Sequence, residues 1–284
     1  MVIRNKGLDN ILSMDYDMFR SLYSKPEDMK THSLFYMAEE LEPQDRPIYP
    51  VTNELDYAQF CKNNPMPQGG IHVGIAGGLQ PFLYQGIRGN TELSIACDIS
   101  GRQIELLEDT LSMIGNNTGR KGFITEYAEK YNTAHDSKAK IMNIWGLLSD
   151  YDYKKLRRRV SEGRYKGMEG NMLTSGLPLA LDISRDTRVK VNIIYLSSIR
   201  DMAEYQAGKN QYALTEYHAK YQAMDRKIRD AKNKELFARD GIIIEYDTDF
   251  KAKAKKQRPK TRLRRIDGGT SNENTSLVKK LVLT

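Results

Sequence analysis

The residues whose types and spacing suggest chemistry lie between positions 74 and 98. Gly74-Ile75-Ala76-Gly77-Gly78 closes a short apolar run at 71–76 and precedes Pro81 and the apolar positions Phe82, Leu83, Tyr84 and Ile87. Strand, glycine turn and helix start together let a ligand approach the backbone where no side chains intervene. The N–H groups of the first helical turn then meet a polar or anionic group. The same glycines also serve a plain tight turn between strand and helix. Asp98 ends the next apolar run, 93–97, and stands 20 residues after Gly78. A carboxylate there accepts hydrogen bonds from the vicinal hydroxyls of a ribose, the recurrent solution at dinucleotide sites. Asp is equally an N-cap for the helix that follows, and the spacing favours the ribose.

The elements that position these residues follow from apolar periodicity. Residues 8–42 and 53–62 have helical spacing, with Pro43, Pro47 and Pro50 between them, so 1–68 is expected to be a helical N-terminal extension. From 69 the pattern alternates: strands at 71–76, 93–98, 165–173, 189–196 and 241–246, helices at 81–87, 102–114 and 201–238, and a possible last strand at 276–283. Residues 120–165 lack strand signals and suggest a helical insertion with helices at 123–131, 138–148 and 153–160. Strands alternating with helices predict an α/β fold, a Rossmann-like and mostly parallel sheet with flanking helices spanning 69–284. In such a sheet the ligand lies beyond the carboxyl ends of the strands, near the switch point.

Composition narrows the class. A chain of 284 residues has ample core to fold without staples, and two cysteines, Cys61 and Cys97, exclude a disulfide scaffold and a cysteine-rich zinc site. The histidines His32, His72, His135 and His218 are scattered without ligand spacing, so no metal is expected. No run of 18 apolar residues is present, and the start of the chain does not resemble a signal peptide, so a soluble cytoplasmic protein is the default expectation. The net charge of +7 is localised: residues 251–265, from Lys251 to Arg265, hold nine Lys/Arg and no acid. Taking those nine from 44 leaves 35 basic residues against 37 acidic ones, a net of −2. A second basic cluster, Lys154, Lys155, Arg157, Arg158 and Arg159, falls in the inserted helices. The two together are a candidate surface for the phosphates of nucleic acid or anionic lipid headgroups. A solvated helix face and a basic loop, hairpin or lid are the plainer alternative.

Several of these stretches resemble a known family. IHVGIAGG (71–78) and ELSIACDISGRQIELLEDTL (92–111) are similar to the first two motifs of class I S-adenosylmethionine-dependent transferases. Glu169-Gly170-Asn171-Met172 resembles the segment whose polar side chain contacts adenine. Asn192-Ile193-Ile194-Tyr195-Leu196-Ser197-Ser198-Ile199 resembles the fourth-strand motif near the reacting sulfur. The resemblance spans about residues 70–246. It implies S-adenosylmethionine as cofactor, contacted by Gly74, Ala76, Gly77, Gly78, Asp98, Ile99, Asn171, Met172 and Tyr195. Ser197, Ser198 and Tyr205 would lie nearest the acceptor, although ordinary strand-end and helix-start residues have the same composition.

The resemblance implies methyl transfer first. The Gln103, Leu106, Leu107, Glu108 pattern and the IYLSSI strand are also similar to betaine-lipid-synthase-type enzymes, which transfer the 3-amino-3-carboxypropyl group instead. Two positions depart from the family pattern: His72 stands where an acid is usual, and Ala76 where the second glycine is usual. They motivate a third possibility, a transferase-like domain without turnover that binds nucleic acid or a partner through its basic segments. No G-x-G-x-x-G fingerprint is present, which disfavours dinucleotide oxidoreduction.

Overall fold

A computed structural model of the chain describes residues 6–24, 48–52, 56–77, 79–132, 137–197, 211–230, 235–247 and 260–266. Its centre is a six-stranded sheet in the order β3-β2-β1-β4-β5-β6, with β1 Ile71–Ile75, β2 Leu93–Asp98, β3 Tyr165–Glu169, β4 Val191–Ser197, β5 Phe237–Asp247 and β6 Lys260–Arg265. The first five strands are parallel, and β6 returns antiparallel along β5. The chain steps outward from β1 to β3, then crosses back to lay β4 on the other side of β1. That reversal makes the β1/β4 boundary the switch point of a Rossmann-like sheet.

Alternation along the strands explains the two cores. Ile71 and Val73 of β1, with Leu93, Ile95 and Cys97 of β2, face one layer, which is covered by α1 Lys6–Ser13, α2 Tyr16–Tyr23, α9 Leu177–Thr187 and α10 Gln211–Arg229. Ala76, Ala96, Ile193 and Tyr195 face the other layer. That layer is covered by α3 Tyr57–Asn63, α4 Leu79–Arg88, α5 Gly101–Asn116, α6 Arg120–Lys130, α7 Lys138–Gly146 and α8 Asp150–Ser161. Small residues set the helix-to-sheet distance on this second face. A Cβ on Gly86 of α4 would stand 3.0 Å from both Ser94 Oγ and Tyr165 Oη. Trp145 of α7 packs edge-on against Phe123 of α6 at 4.8 Å and is buried.

Four elements differ from the sequence expectation. The helical stretch at 8–42 breaks at Met14, because Asp15 caps a new helix: its Oδ1 accepts from Met18 N at 2.7 Å. Residues 25–47 lie outside the described residues. The strand expected at 165–173 stops at Glu169, and Met172–Gly176 forms a π-helical turn that runs into α9, a helix absent from the sequence expectation. The Asn171 carbonyl accepts from Ser175 N at 2.7 Å and from Gly176 N at 3.0 Å, which widens that turn. The helix expected to reach 238 gives way by Phe237, which begins β5 and pairs with Val191. Within the basic segment, Lys260–Arg265 is strand β6, the return arm of a hairpin; residues 251–259 and the last strand expected at 276–283 lie outside the described residues.

Two buried cations tie the covering elements to the sheet through carbonyl and hydroxyl oxygens. Lys166 of β3, 1% exposed, donates to the carbonyls of Leu12 (3.3 Å) and Met14, and so seats the α1–α2 corner. Arg159 of α8, 2% exposed, donates to the Thr91 carbonyl, to Thr91 Oγ1 at 2.7 Å and to Tyr165 Oη at 3.4 Å. No helix among the described residues is long and apolar enough to cross a membrane.

Candidate functional site

The carboxyl ends of β1, β2 and β3 bring together Gly77, Asp98, Ser100, Gln103 and Glu169. Asp98 is the centre. Its Oδ2 accepts from Gly77 N at 3.1 Å and its Oδ1 from Ser100 N at 2.9 Å; the Ile99 N–H is a third backbone donor. The bond two residues on is an Asx turn rather than a helix cap, and the N-cap position of α5 is Ser100. Burial pushes the Asp98 carboxyl up to about 6, against the opposing pull of the three N–H donors. A carboxylate offers about four acceptor positions, and the donors among the described residues take three of them. Ser100 Oγ is buried beside this turn and has no hydrogen-bond partner among the described residues.

Gln103, in the first turn of α5, links both sides of the site. Its Nε2 donates to the Ala76 carbonyl at 3.0 Å, and its Oε1 accepts from the backbone N–H of Tyr49 at 2.9 Å. Tyr49 thereby joins the site from the connector before α3, and its hydroxyl is pushed above the ordinary value by burial and by the Asp98 charge. Glu169, in register with Asp98 across the β2–β3 pair, takes Arg20 of α2 on its Oε1 at 2.7 Å. The same guanidinium reaches Glu108 Oε2 at 3.2 Å. The backbone N–H of Glu169 donates to Ser24 Oγ at 3.0 Å, just beyond α2.

The residues named from the sequence divide into two groups. Gly77, Asp98 and Ile99 lie together at the mouth; a Cβ on Gly77 would stand in ordinary contact, 3.6 Å from Asp98 Oδ2 and Ile75 Cγ2. Gly74 and Tyr195 answer to each other instead: a Cβ on Gly74 would stand 2.8 Å from Tyr195 Cβ, and the Tyr195 side chain is buried in the core. Ala76 points its methyl inward and is fully buried. Asn171 turns its Oδ1 onto Leu173 N (2.7 Å) and Thr174 N (3.3 Å), capping the π-helical turn, and Met172 is buried beneath it. Ser197 ends β4 opposite Glu245. Gly78, Ser198 and Tyr205 lie outside the described residues.

The departures from the family pattern also turn inward. His72 is fully buried and stacks on Phe82 at 4.5 Å, and burial lowers its pKa to about 3. It therefore faces neither ligand nor solvent. The basic cluster at 154–159 does not form one face: Arg159 is buried, Arg157 Nε reaches the Gly115 carbonyl at 3.4 Å, and Arg158 lies 3.8 Å from Glu162. Among the described residues there is no group of His, Cys, Asp and Glu that could hold a metal ion.

Nothing in the sequence marked the buried Ser100 hydroxyl, and reasoning from it missed Tyr49 and the Arg20–Glu169 contact. Tyr49 had one signal, an aromatic between Pro47 and Pro50. Arg20 had none, since its partners lie 88 and 149 positions away.

No protein-family model matches the chain, and no curated protein matches it. Among solved structures it is similar to the rRNA methyltransferase aviRa from Streptomyces viridochromogenes, with 12% identity and a TM-score of 0.37, covering 85% of this chain and 92% of that one.

Proposed function

We propose that the chain is an S-adenosylmethionine-dependent transferase that holds the nucleoside end of its cofactor at the carboxyl ends of β1 and β2. The observation that carries this reading is the Asp98–Gly77 contact of 3.1 Å. It joins a buried carboxylate to a glycine turn beside the switch point, where open α/β sheets take their ligands. The order of the motifs at 71–78, 92–111, 169–172 and 192–199 supports the cofactor class.

The fit is best at three residues. Gly77 carries no side chain at the backbone, and among the described residues Asp98 retains an acceptor position and Ser100 Oγ has no hydrogen-bond partner. Asp98 and Ser100 would then share the two ribose hydroxyls. Bound there, S-adenosylmethionine supplies an electrophilic carbon on a positive sulfur. The share of the chain itself is positioning and the exclusion of water, the main contributions available to an in-line displacement. Methyl transfer is the favoured reaction, with 3-amino-3-carboxypropyl transfer as the alternative. The acceptor is proposed to be anionic, because the basic strand β6 begins at Lys260 opposite Asp247, at the end of the sheet where the parallel strands finish and the site lies, although β1, β4 and β5 stand between it and β2.

The test is binding first. S-adenosylmethionine and S-adenosylhomocysteine should raise the Tm in a concentration-dependent way and titrate calorimetrically with one site per chain. No shift and no heat at millimolar ligand rejects the reading. With an acceptor present, mass spectrometry separates the two reactions: S-adenosylhomocysteine marks methyl transfer and methylthioadenosine marks aminocarboxypropyl transfer. Salt-sensitive RNA binding by a chain that takes no S-adenosyl ligand would establish the non-catalytic alternative instead.

A further inference from the structure

The connector at 48–52 is irregular, yet its backbone is fixed from both helices that open at the site. Gln80, in the first turn of α4, accepts from Thr52 N at 3.0 Å and donates to the Pro50 carbonyl at 2.9 Å. Gln103, in the first turn of α5, accepts from Tyr49 N at 2.9 Å, lies 3.4 Å from the Tyr49 carbonyl, and donates to the Ala76 carbonyl at 3.0 Å. Tyr127 Oη adds a bond to the Pro50 carbonyl at 2.8 Å. Both glutamines are buried, and burying an amide is unfavourable unless its polar atoms are satisfied. Here they are satisfied by the connector backbone, so its position is set by the same two helices that frame Gly77 and Asp98.

Within that fixed connector one group faces outward. Pro50, Val51 and Thr52 are buried, while Tyr49 is 41% exposed. Its backbone shares the Gln103 amide with Ala76, which places it directly across from the glycine turn. An aromatic ring on a pinned backbone loses little conformational entropy when a flat ligand settles on it. Every nucleobase presents such a flat face, and base–aromatic stacking is tolerant of which base it is.

We infer that the Tyr49 ring is the stacking face for the base of an adenine nucleoside whose ribose is held at Asp98. The inference rests on the nucleoside site proposed above and adds a binding residue that the family-like motifs do not contain.

Calorimetric titration of the full chain with S-adenosylhomocysteine, methylthioadenosine and NAD tests it. Tyr49→Ala should weaken every adenine ligand that the parent protein binds by about tenfold or more, and Tyr49→Phe should retain the parent affinity. An unchanged Tm would show that both variants are folded. Parent-like affinity in Tyr49→Ala overturns the inference, as does an equal loss in Tyr49→Phe, which would assign the effect to the hydroxyl. If the parent protein ignores the two S-adenosyl-derived ligands but binds NAD through Tyr49, the transferase reading fails and the stacking role stands. If it binds none of the three, both fail.

Discussion

Asp98 Oδ2 accepts the Gly77 N–H at 3.1 Å, so one buried carboxylate holds the turn after β1 against the end of β2. Its other oxygen fixes the approach to α5 through Ser100 N. The arrangement is internally strained in an electrostatic sense, because burial raises the Asp98 carboxyl while the backbone donors only partly offset that rise. Groups kept charged against burial are concentrated at functional sites.

That strain has a pH signature. The folded carboxyl titrates at about 6 against an ordinary value of 3.8, so the folded state holds its proton more tightly than the unfolded state does. Stability must fall as pH rises from about 4 to about 6 and level off above, by at most ~3 kcal/mol at 1.36 kcal/mol per unit. Urea unfolding of the parent protein and Asp98→Asn across pH 4–8 checks this. The stability difference, parent minus variant, should shrink between pH 4 and 6 and then stay flat. A difference independent of pH would remove Asp98 as the titrating group.

Gly74 in β1 and Gly77 in the turn that follows should behave oppositely. Gly74→Ala places a methyl 2.8 Å from Tyr195 Cβ and 3.1 Å from its carbonyl oxygen, both inside a packed sheet. Overpacking of this kind destabilises by about 1–3 kcal/mol. Gly77→Ala meets its nearest neighbours at 3.6 Å, ordinary contact, so its stability should change by less than about 0.5 kcal/mol. Binding should reverse the order, with Gly77→Ala the more damaging to S-adenosylhomocysteine affinity. Chemical denaturation and calorimetry on the same pair of variants decide it.

The clasp between the N-terminal helices and the sheet is a third target. Arg20 bridges Glu169 and Glu108 with all three side chains less than a quarter exposed. Arg20→Ala leaves two carboxylates, one of them raised by burial, without their cation. The expected loss is about 1–3 kcal/mol, with earlier amide exchange at Glu169 N, which donates to Ser24. Adding Glu108→Gln and Glu169→Gln to Arg20→Ala should recover part of that loss. No recovery would mean that Arg20 acts through packing alone.

What the sequence disclosed follows from the range of each interaction. Strands β1, β2, β4 and β5 stand out as apolar runs, because a parallel sheet buried on both faces needs them. Asp98 is legible because strand, turn and helix lie within 30 residues of one another. The match of Gly74 to Tyr195 was not legible: it depends on the register of β1 with β4, which joins residues about 120 positions apart. Helix α9 was hidden because Gly170 and the π-helical turn interrupt what looks like a continuing strand. Asn171 was given a ligand role on resemblance, whereas locally its side chain satisfies the N–H groups of the turn that follows.

Ser100 separates a structural account of the site from a functional one. It occupies the N-cap position of α5, where a serine ordinarily accepts from its own helix, yet its hydroxyl makes no cap bond and is buried without a hydrogen-bond partner among the described residues. An unsatisfied buried hydroxyl is destabilising, so Ser100→Ala should leave stability unchanged or raise it by about 1 kcal/mol. If that hydroxyl is kept to meet a ribose, the same variant should bind S-adenosylhomocysteine about fivefold to tenfold more weakly, one lost hydrogen bond. Gain in stability with loss of affinity is the pattern of a group retained for a ligand. Thermal unfolding and calorimetry of Ser100→Ala beside the parent protein measure both halves. A variant that loses stability while keeping its affinity would identify Ser100 as an ordinary helix-start residue and leave Asp98 to hold the ribose alone.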